Sequence, residues 1–155
     1  MNTIQALIDK YQLTPHPEGG YFAETYRAEE EVASPVHNQP RNSVTQIYFL
    51  LAKGDVSRFH KVLHDEIWHF YEGAPLRLLD ANNEQCEEIL LGQDGRYHHV
   101  IAAHRYQAAE STGEYTLVGC TVAPGFDFAD FNFLADDAQT MALKADCLQA
   151  QKRFI

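Results

Sequence analysis

Gly54-Asp55-Val56-Ser57-Arg58-Phe59-His60-Lys61-Val62-Leu63-His64-Asp65-Glu66-Ile67-Trp68-His69-Phe70-Tyr71-Glu72-Gly73 is the stretch that decides the fold. Residues 57–62 and 67–72 read as two short strands, the second rich in β-branched and aromatic side chains, and His64 falls at the turn between them. Side chains alternate between the faces of a strand. If His60 and Glu66 point inward, Arg58 and Val62 share the inner face of the first strand, and Trp68 and Phe70 that of the second. His69 then faces outward.

Working outward, the same short-strand pattern continues in both directions: Tyr21–Arg27, Val44–Leu51, Leu76–Asp80, Glu88–Leu91, His98–Ile101, Tyr106–Ala109, Tyr115–Val122 and Phe126–Phe133. Gly54-Asp55, Gly73-Ala74-Pro75, Asn82-Asn83, Asp94-Gly95 and Thr112-Gly113 supply turns, several of them residues that tolerate positive φ. This spacing predicts an all-β sandwich or barrel. Helical periodicity is confined to the ends. Ile4, Leu7, Ile8 and Tyr11 fall at i, i+3, i+4 and i+7, with Asn2 or Thr3 available to cap, and Met141, Lys144, Ala145 and Leu148 repeat the pattern within 136–148. Pro15-His16-Pro17-Glu18-Gly19-Gly20 stops the first helix, and within it Glu18-Gly19-Gly20 suits a loop closing over a pocket mouth and a plain turn equally well.

The chain has 155 residues, and a domain of that size buries roughly 70% of the surface its unfolded chain exposes, so one domain over 1–155 is expected. With 12 basic against 22 acidic residues the formal net charge is -10, which repels phosphate backbones and anionic lipid surfaces. Nucleic-acid and membrane partners are therefore not expected. Cys86, Cys120 and Cys147 show no CxxC spacing, which argues against a zinc knuckle or a disulfide framework and fits a cytoplasmic location. The longest apolar run, 47–52, is far short of the ~18 residues of a membrane span.

Gly54, His60, Glu66 and Gly73 match in register the first signature of the cupin superfamily, with Val62 at the position of its second histidine. His16-Pro17-Glu18-Gly19-Gly20-Tyr21-Phe22, Thr25-Tyr26-Arg27, Asp65-Glu66-Ile67-Trp68-His69 and Val118-Gly119-Cys120-Thr121-Val122-Ala123-Pro124-Gly125-Phe126 narrow the likeness. They resemble an uncharacterised cupin family known as a domain of unknown function (Cupin_5), over about residues 13–134. The resemblance implies a double-stranded β-helix, the cupin jelly-roll barrel, so that with the helices read at the two ends the expected fold is an all-β barrel with short N-terminal and C-terminal helices. It also implies a homodimer and kinship with the rhamnose-pathway dTDP-sugar epimerases. In the second signature Gln107 stands where the family-wide metal-binding histidine would sit. An amide oxygen is a poor ligand for a transition metal and valine is none.

The functional expectation is a small polar metabolite held in the barrel. An isomerase or epimerase acting on a sugar or nucleotide-sugar would use His60 as general base, oriented by Glu66. Arg58 or Arg105 would offset substrate charge, and Trp68, Gln107 and Glu18 complete the substrate-binding set. No cofactor is firmly implied. The alternatives are a metal-dependent dioxygenase or isomerase, with a weakly held divalent ion at His60, Glu66 and Gln107, and a non-catalytic small-ligand binder. His64, His69, His98 and His99 read as structural histidines, and Phe126, Phe128, Phe131 and Phe133 as core or dimer interface.

Overall fold

The structure, a computed structural model, describes residues 2–82, 84–136 and 154–155. After helix α1 (Thr3–Tyr11) the described chain is almost entirely extended. Its strands are β1 (Thr14–Pro15), β2 (Tyr21–Arg27), β3 (Glu31–Ala33), β4 (Pro40–Asn42), β5 (Thr45–Ala52), β6 (Val56–Lys61) and β7 (Asp65–Gly73). They continue with β8 (Leu76–Ala81), β9 (Cys86–Leu91), β10 (His98–Ile101), β11 (Tyr106–Ser111), β12 (Tyr115–Ala123) and β13 (Asn132–Phe133).

These strands form a six-stranded sheet in the order β1-β2-β5-β12-β7-β10, a five-stranded sheet in the order β13-β6-β11-β8-β9, and a separate β3-β4 hairpin. The expected closed barrel is not formed. Pairing stops at β1 and β10 on one sheet and at β13 and β9 on the other, so among the described residues no ladder joins the two. Residues 92–97 carry the chain across from β9 to β10 instead of extending a sheet. Among the described residues the architecture is a mostly β, cupin-like pair of facing sheets with one short α-helix. The expected C-terminal helix falls on residues outside those described.

Alternation along the strands sets three apolar layers. Phe49, Trp68 and Val118 from the first sheet and Leu76, Leu78, Leu91 and Ala109 from the second meet between the sheets. Burying each large side chain here contributes roughly 1.5–3 kcal/mol. Leu50 and Leu117 point the other way and take Leu7 and Leu13, with Ile4 and Ile8 alongside, which is why the apolar stripe of α1 packs on the outer face. Phe59, Leu79, Tyr106 and Ala108 form the outer layer of the second sheet, covered by Leu134 and Phe154. Because Phe59 turns outward, its neighbour His60 turns in between the sheets.

Two local departures matter for the site. Residues 126–133 do not form one strand: Asp127 caps a 3-10 turn over Phe128–Asp130 through the Ala129 N–H (2.8 Å), leaving only β13 to pair with β6. The β3-β4 hairpin is an element the sequence reading did not contain. Cys86 is disulfide-bonded, against the expectation of no disulfide framework, whereas Cys120 is free and buried.

Candidate functional site

A cavity of about 330 Å³ opens between the sheets, with His16, Glu18, His60, Glu66 and Cys120 among its lining groups. Val62, Ile47 and Val122 contribute apolar wall, and Glu24, Arg27 and the 126–131 segment also line it. Its size suits a small metabolite.

The loop before β2 delivers Glu18. Gly19 (φ +112) and Gly20 (φ +78) adopt backbone conformations that side-chain-bearing residues rarely take, and a Cβ on Gly19 would lie 2.0 Å from the Val56 carbonyl oxygen. The two glycines therefore let the loop lie directly against β6, where the Arg58 N–H donates to the Glu18 carbonyl (3.0 Å). Glu18 points into the cavity, with Oε2 2.7 Å from His60 Nε2. The other ring nitrogen of His60, Nδ1, is 2.7 Å from the Arg58 carbonyl oxygen. A carbonyl and a carboxylate only accept, so both ring nitrogens carry hydrogen and His60 is an imidazolium.

The electrostatics agree with that reading. Burial alone would lower the His60 pKa, but the Glu18 charge and hydrogen bond, the Glu66 charge and the Arg58 carbonyl raise it above its ordinary value. Burial would raise Glu18, yet His60 and His16 bring its pKa below the ordinary carboxylate value. His16 Nδ1 accepts the Glu18 backbone N–H (3.0 Å), and burial holds this ring neutral by lowering its pKa.

Glu66 behaves in the opposite way. Its pKa is raised to about 7, by burial first and by the like charge of Glu18, against the pull of His60, Gln107 and Cys120. Gln107 Nε2 donates to Glu66 Oε1 (2.9 Å), and Trp68 Nε1–H donates to Gln107 Oε1 (2.5 Å). An indole N–H is only a donor, so Trp68 fixes which end of the Gln107 amide faces the carboxyl. Burial and the neighbouring carboxylates push the Cys120 thiol well above its ordinary value, which keeps it neutral.

Of the site residues expected from sequence, His60, Glu66 and Glu18 line the cavity, while Gln107 and Trp68 stand behind Glu66 as its hydrogen-bonded support. The close contact of His60 is with Glu18, which the glycine loop brings up, and Glu66 acts on His60 through its charge. Arg58 and Arg105 lie elsewhere. The Arg58 guanidinium sits 4.3 Å over the Phe133 ring and reaches the Pro17 carbonyl (3.2 Å), and Arg105 Nε is held by Asp80 Oδ1 (2.5 Å). Phe126, Phe128 and Phe131 line the cavity instead of the core, with Phe131 stacked on His60 at 5.0 Å. His16 and Cys120 were missed as lining residues. The motif containing His16 and the alternation along β12 were the available signals.

The metal set of the cupin signature does not fit this geometry. Both His60 nitrogens are engaged, the Gln107 oxygen is turned to Trp68, and Val62 offers no donor atom. Elsewhere, His37, His64 and Asp130 form one group, and Asp80, Glu87 and His99 another, whose ligand atoms lie within 4.8 Å of one another, a spacing able to hold a divalent ion. In the first group an ion would compete with Arg41, which donates to both Asp130 oxygens (2.9 and 3.0 Å). His37 Nδ1 there accepts the Gln39 N–H (3.1 Å), leaving the hydrogen of the neutral ring on Nε2, the nitrogen beside Asp130.

Facing antiparallel sheets with a cavity lined by histidine and carboxyl groups between them define a cupin-type protein. The family model described as cupin superfamily (DUF985) matches residues 5–134, and the chain belongs to that family. It is 29% identical over an alignment of 173 residues to an uncharacterized protein of Saccharomyces cerevisiae, covering 99% of this chain and 86% of the relative. A solved structure of a Shewanella oneidensis protein superposes with a TM-score of 0.85 at 28% identity, over 99% of this chain and 98% of that one. A hypothetical protein from Leishmania major gives 0.81 at 26% identity, over 98% and 94%. The family match reaches the cupin superfamily and does not extend to the sugar epimerases.

Proposed function

We propose that the chain binds a small polar molecule in the cavity between its sheets and exchanges a proton with it through Glu66. The observation that carries this reading is the presence, in a cavity of about 330 Å³, of a buried carboxyl with a pKa of about 7 beside a locked His60–Glu18 pair. A group that titrates near working pH gives and takes a proton with comparable ease, whereas two carboxyls whose pKa values are driven apart assume different roles. Glu18 stays ionised and holds the His60 imidazolium. Since that ring already carries both protons, the base role expected of His60 passes to Glu66.

A nucleotide-sugar is disfavoured by charge. Arg27 is bound by both Glu24 oxygens (2.7 and 2.9 Å), and neither Arg58 nor Arg105 lines the cavity to meet a diphosphate. Catalysis of a proton shift in a carbonyl compound is the finer form of the reading. The competing reading, a metal-dependent cupin, rests on the spacing of His37, His64 and Asp130.

The test is a thermal-shift screen of wild type, Glu66→Gln and His60→Ala against monosaccharides, nucleotide-sugars, small carboxylates and amines, paired with elemental analysis. We expect a small-molecule class that stabilises wild type, stabilises both variants less, and loses its pH dependence in Glu66→Gln, with well under one transition-metal ion per chain. Stoichiometric metal lost on His64→Ala would establish the competing reading instead.

A further inference from the structure

The lining of the cavity is unbalanced in charge. Its carboxylates are Glu18, Glu24, Glu66 and Asp127, and its cations are Arg27 and His60. Each cation has its close contact with one carboxylate, Arg27 with Glu24 and His60 with Glu18, and feels Asp127 and Glu66 respectively through charge alone. Among the described lining groups the four carboxylates still outnumber the two cations, with Glu66 and Asp127 as the excess. Arg41 Nε lies 3.9 Å from Asp127, but its side-chain hydrogen bonds go to Asp130 and to the Pro40 carbonyl.

The same wall is aromatic. Within 126–131, Phe126, Phe128 and Phe131 alternate with acidic residues and set their rings steeply to one another: Phe126 and Phe128 at 4.8 Å and 82°, Phe128 and Phe131 at 6.0 Å and 63°. Phe128 is 54% exposed, a large apolar ring left in water on the cavity wall. Aromatic faces carry negative quadrupole density and attract cations, most of all weakly hydrated ammonium groups, whereas anions are repelled by both the rings and the surplus carboxylates.

We infer that the cavity takes a cationic ligand, an amine or quaternary ammonium group seated against the Phe126–Phe128–Phe131 wall with Glu66 and Asp127 as its counter-charges. This rests on the reading that the cavity is the ligand site and names the class of ligand. A cation entering beside Glu66 favours the ionised carboxyl, so binding releases a proton. The other titratable groups facing Glu66 are His60, Glu18 and Cys120, with His16 beyond Glu18. Of these, Cys120 stays neutral and Glu18 ionised through the neutral range.

The experiment is calorimetry on the full chain with choline, ethanolamine and putrescine, with 3,3-dimethyl-1-butanol as the uncharged counterpart of choline, and with acetate and glucose as anionic and neutral polar probes. At least one cation should bind about tenfold or more tightly than the uncharged counterpart, weaken about tenfold in Asp127→Asn and in Phe128→Ala, and bind more tightly as pH rises through about 7. That pH slope should disappear in Glu66→Gln. If acetate, glucose or the uncharged alcohol binds as well as the cations, the ligand class is overturned while the cavity stands as the ligand site. If none of the probes binds, both are overturned.

Discussion

His60 Nε2 and Glu18 Oε2 lie 2.7 Å apart, joining a residue of β6 to the glycine loop that precedes β2. Breaking a buried pair by removing one partner leaves an uncompensated charge and costs about 3–5 kcal/mol. Glu18→Gln and His60→Ala should each lose stability on that scale in urea unfolding at pH 7, and the double variant should lose much less than the sum. Additive losses would mean that the two side chains do not interact.

Gly19 and Gly54 both have positive φ, but only Gly19 is pressed against backbone. A Cβ at Gly19 would meet the Val56 carbonyl at 2.0 Å, while at Gly54 nothing lies within 4 Å. Gly54→Ala is expected to cost about 1–3 kcal/mol of conformational strain alone. Gly19→Ala should cost clearly more, and it should also return the His60 titration toward the ordinary imidazole value by withdrawing Glu18. Thermal unfolding and imidazole NMR of the two variants check this, and equal losses would contradict it.

Glu66 makes stability fall with pH. Its folded pKa of about 7 lies above the unfolded value of 4.5, so the folded state binds more protons in that interval and loses stability as pH rises through it. At about 1.4 kcal/mol per unit, Glu66→Gln should gain up to about 3 kcal/mol above pH 7 relative to pH 4.5. His60, with a raised pKa, adds a contribution that is full below its unfolded value of 6.5 and fades as pH rises through the folded one. Glu18, with a lowered pKa, adds one that is present above 4.5 and lost on acidification through its folded value. Stability curves of wild type and Glu66→Gln that stay parallel from pH 4.5 to 8 would contradict the assignment.

Trp68→Phe deletes the donor that orients Gln107 while keeping most of the packing. The orphaned amide oxygen should cost about 1–3 kcal/mol. With Gln107 free to turn its oxygen toward Glu66, the carboxyl should titrate higher still. A variant that unfolds at the wild-type denaturant midpoint would show that Gln107 finds another partner.

How much of this was legible in the sequence follows from what each signal encodes. Alternation along 57–72 placed His60, Glu66 and Trp68 on one face, because strand periodicity is a local property that survives in the structure. Closure of the sheets is not local. Whether edge strands meet depends on how far β1, β9, β10 and β13 extend, and β1 and β13 are two residues each. The His60–Glu18 contact was hidden because it depends on the approach of the loop to β6, although Gly19-Gly20 marked the place. The 126–133 segment was misread as one strand because alternating phenylalanines fit a strand as well as they fit a capped turn, and only the Asp127 side chain decides between them.

The most direct test of the central claim is NMR titration of the isotopically labelled Glu66 carboxyl in the full chain, with His60→Ala as reference for assignment. The midpoint should fall near pH 7 in wild type and rise when the His60 charge is removed. A midpoint near the ordinary carboxyl value of 4.5, unchanged in His60→Ala, would contradict a cavity built around a proton-exchanging Glu66.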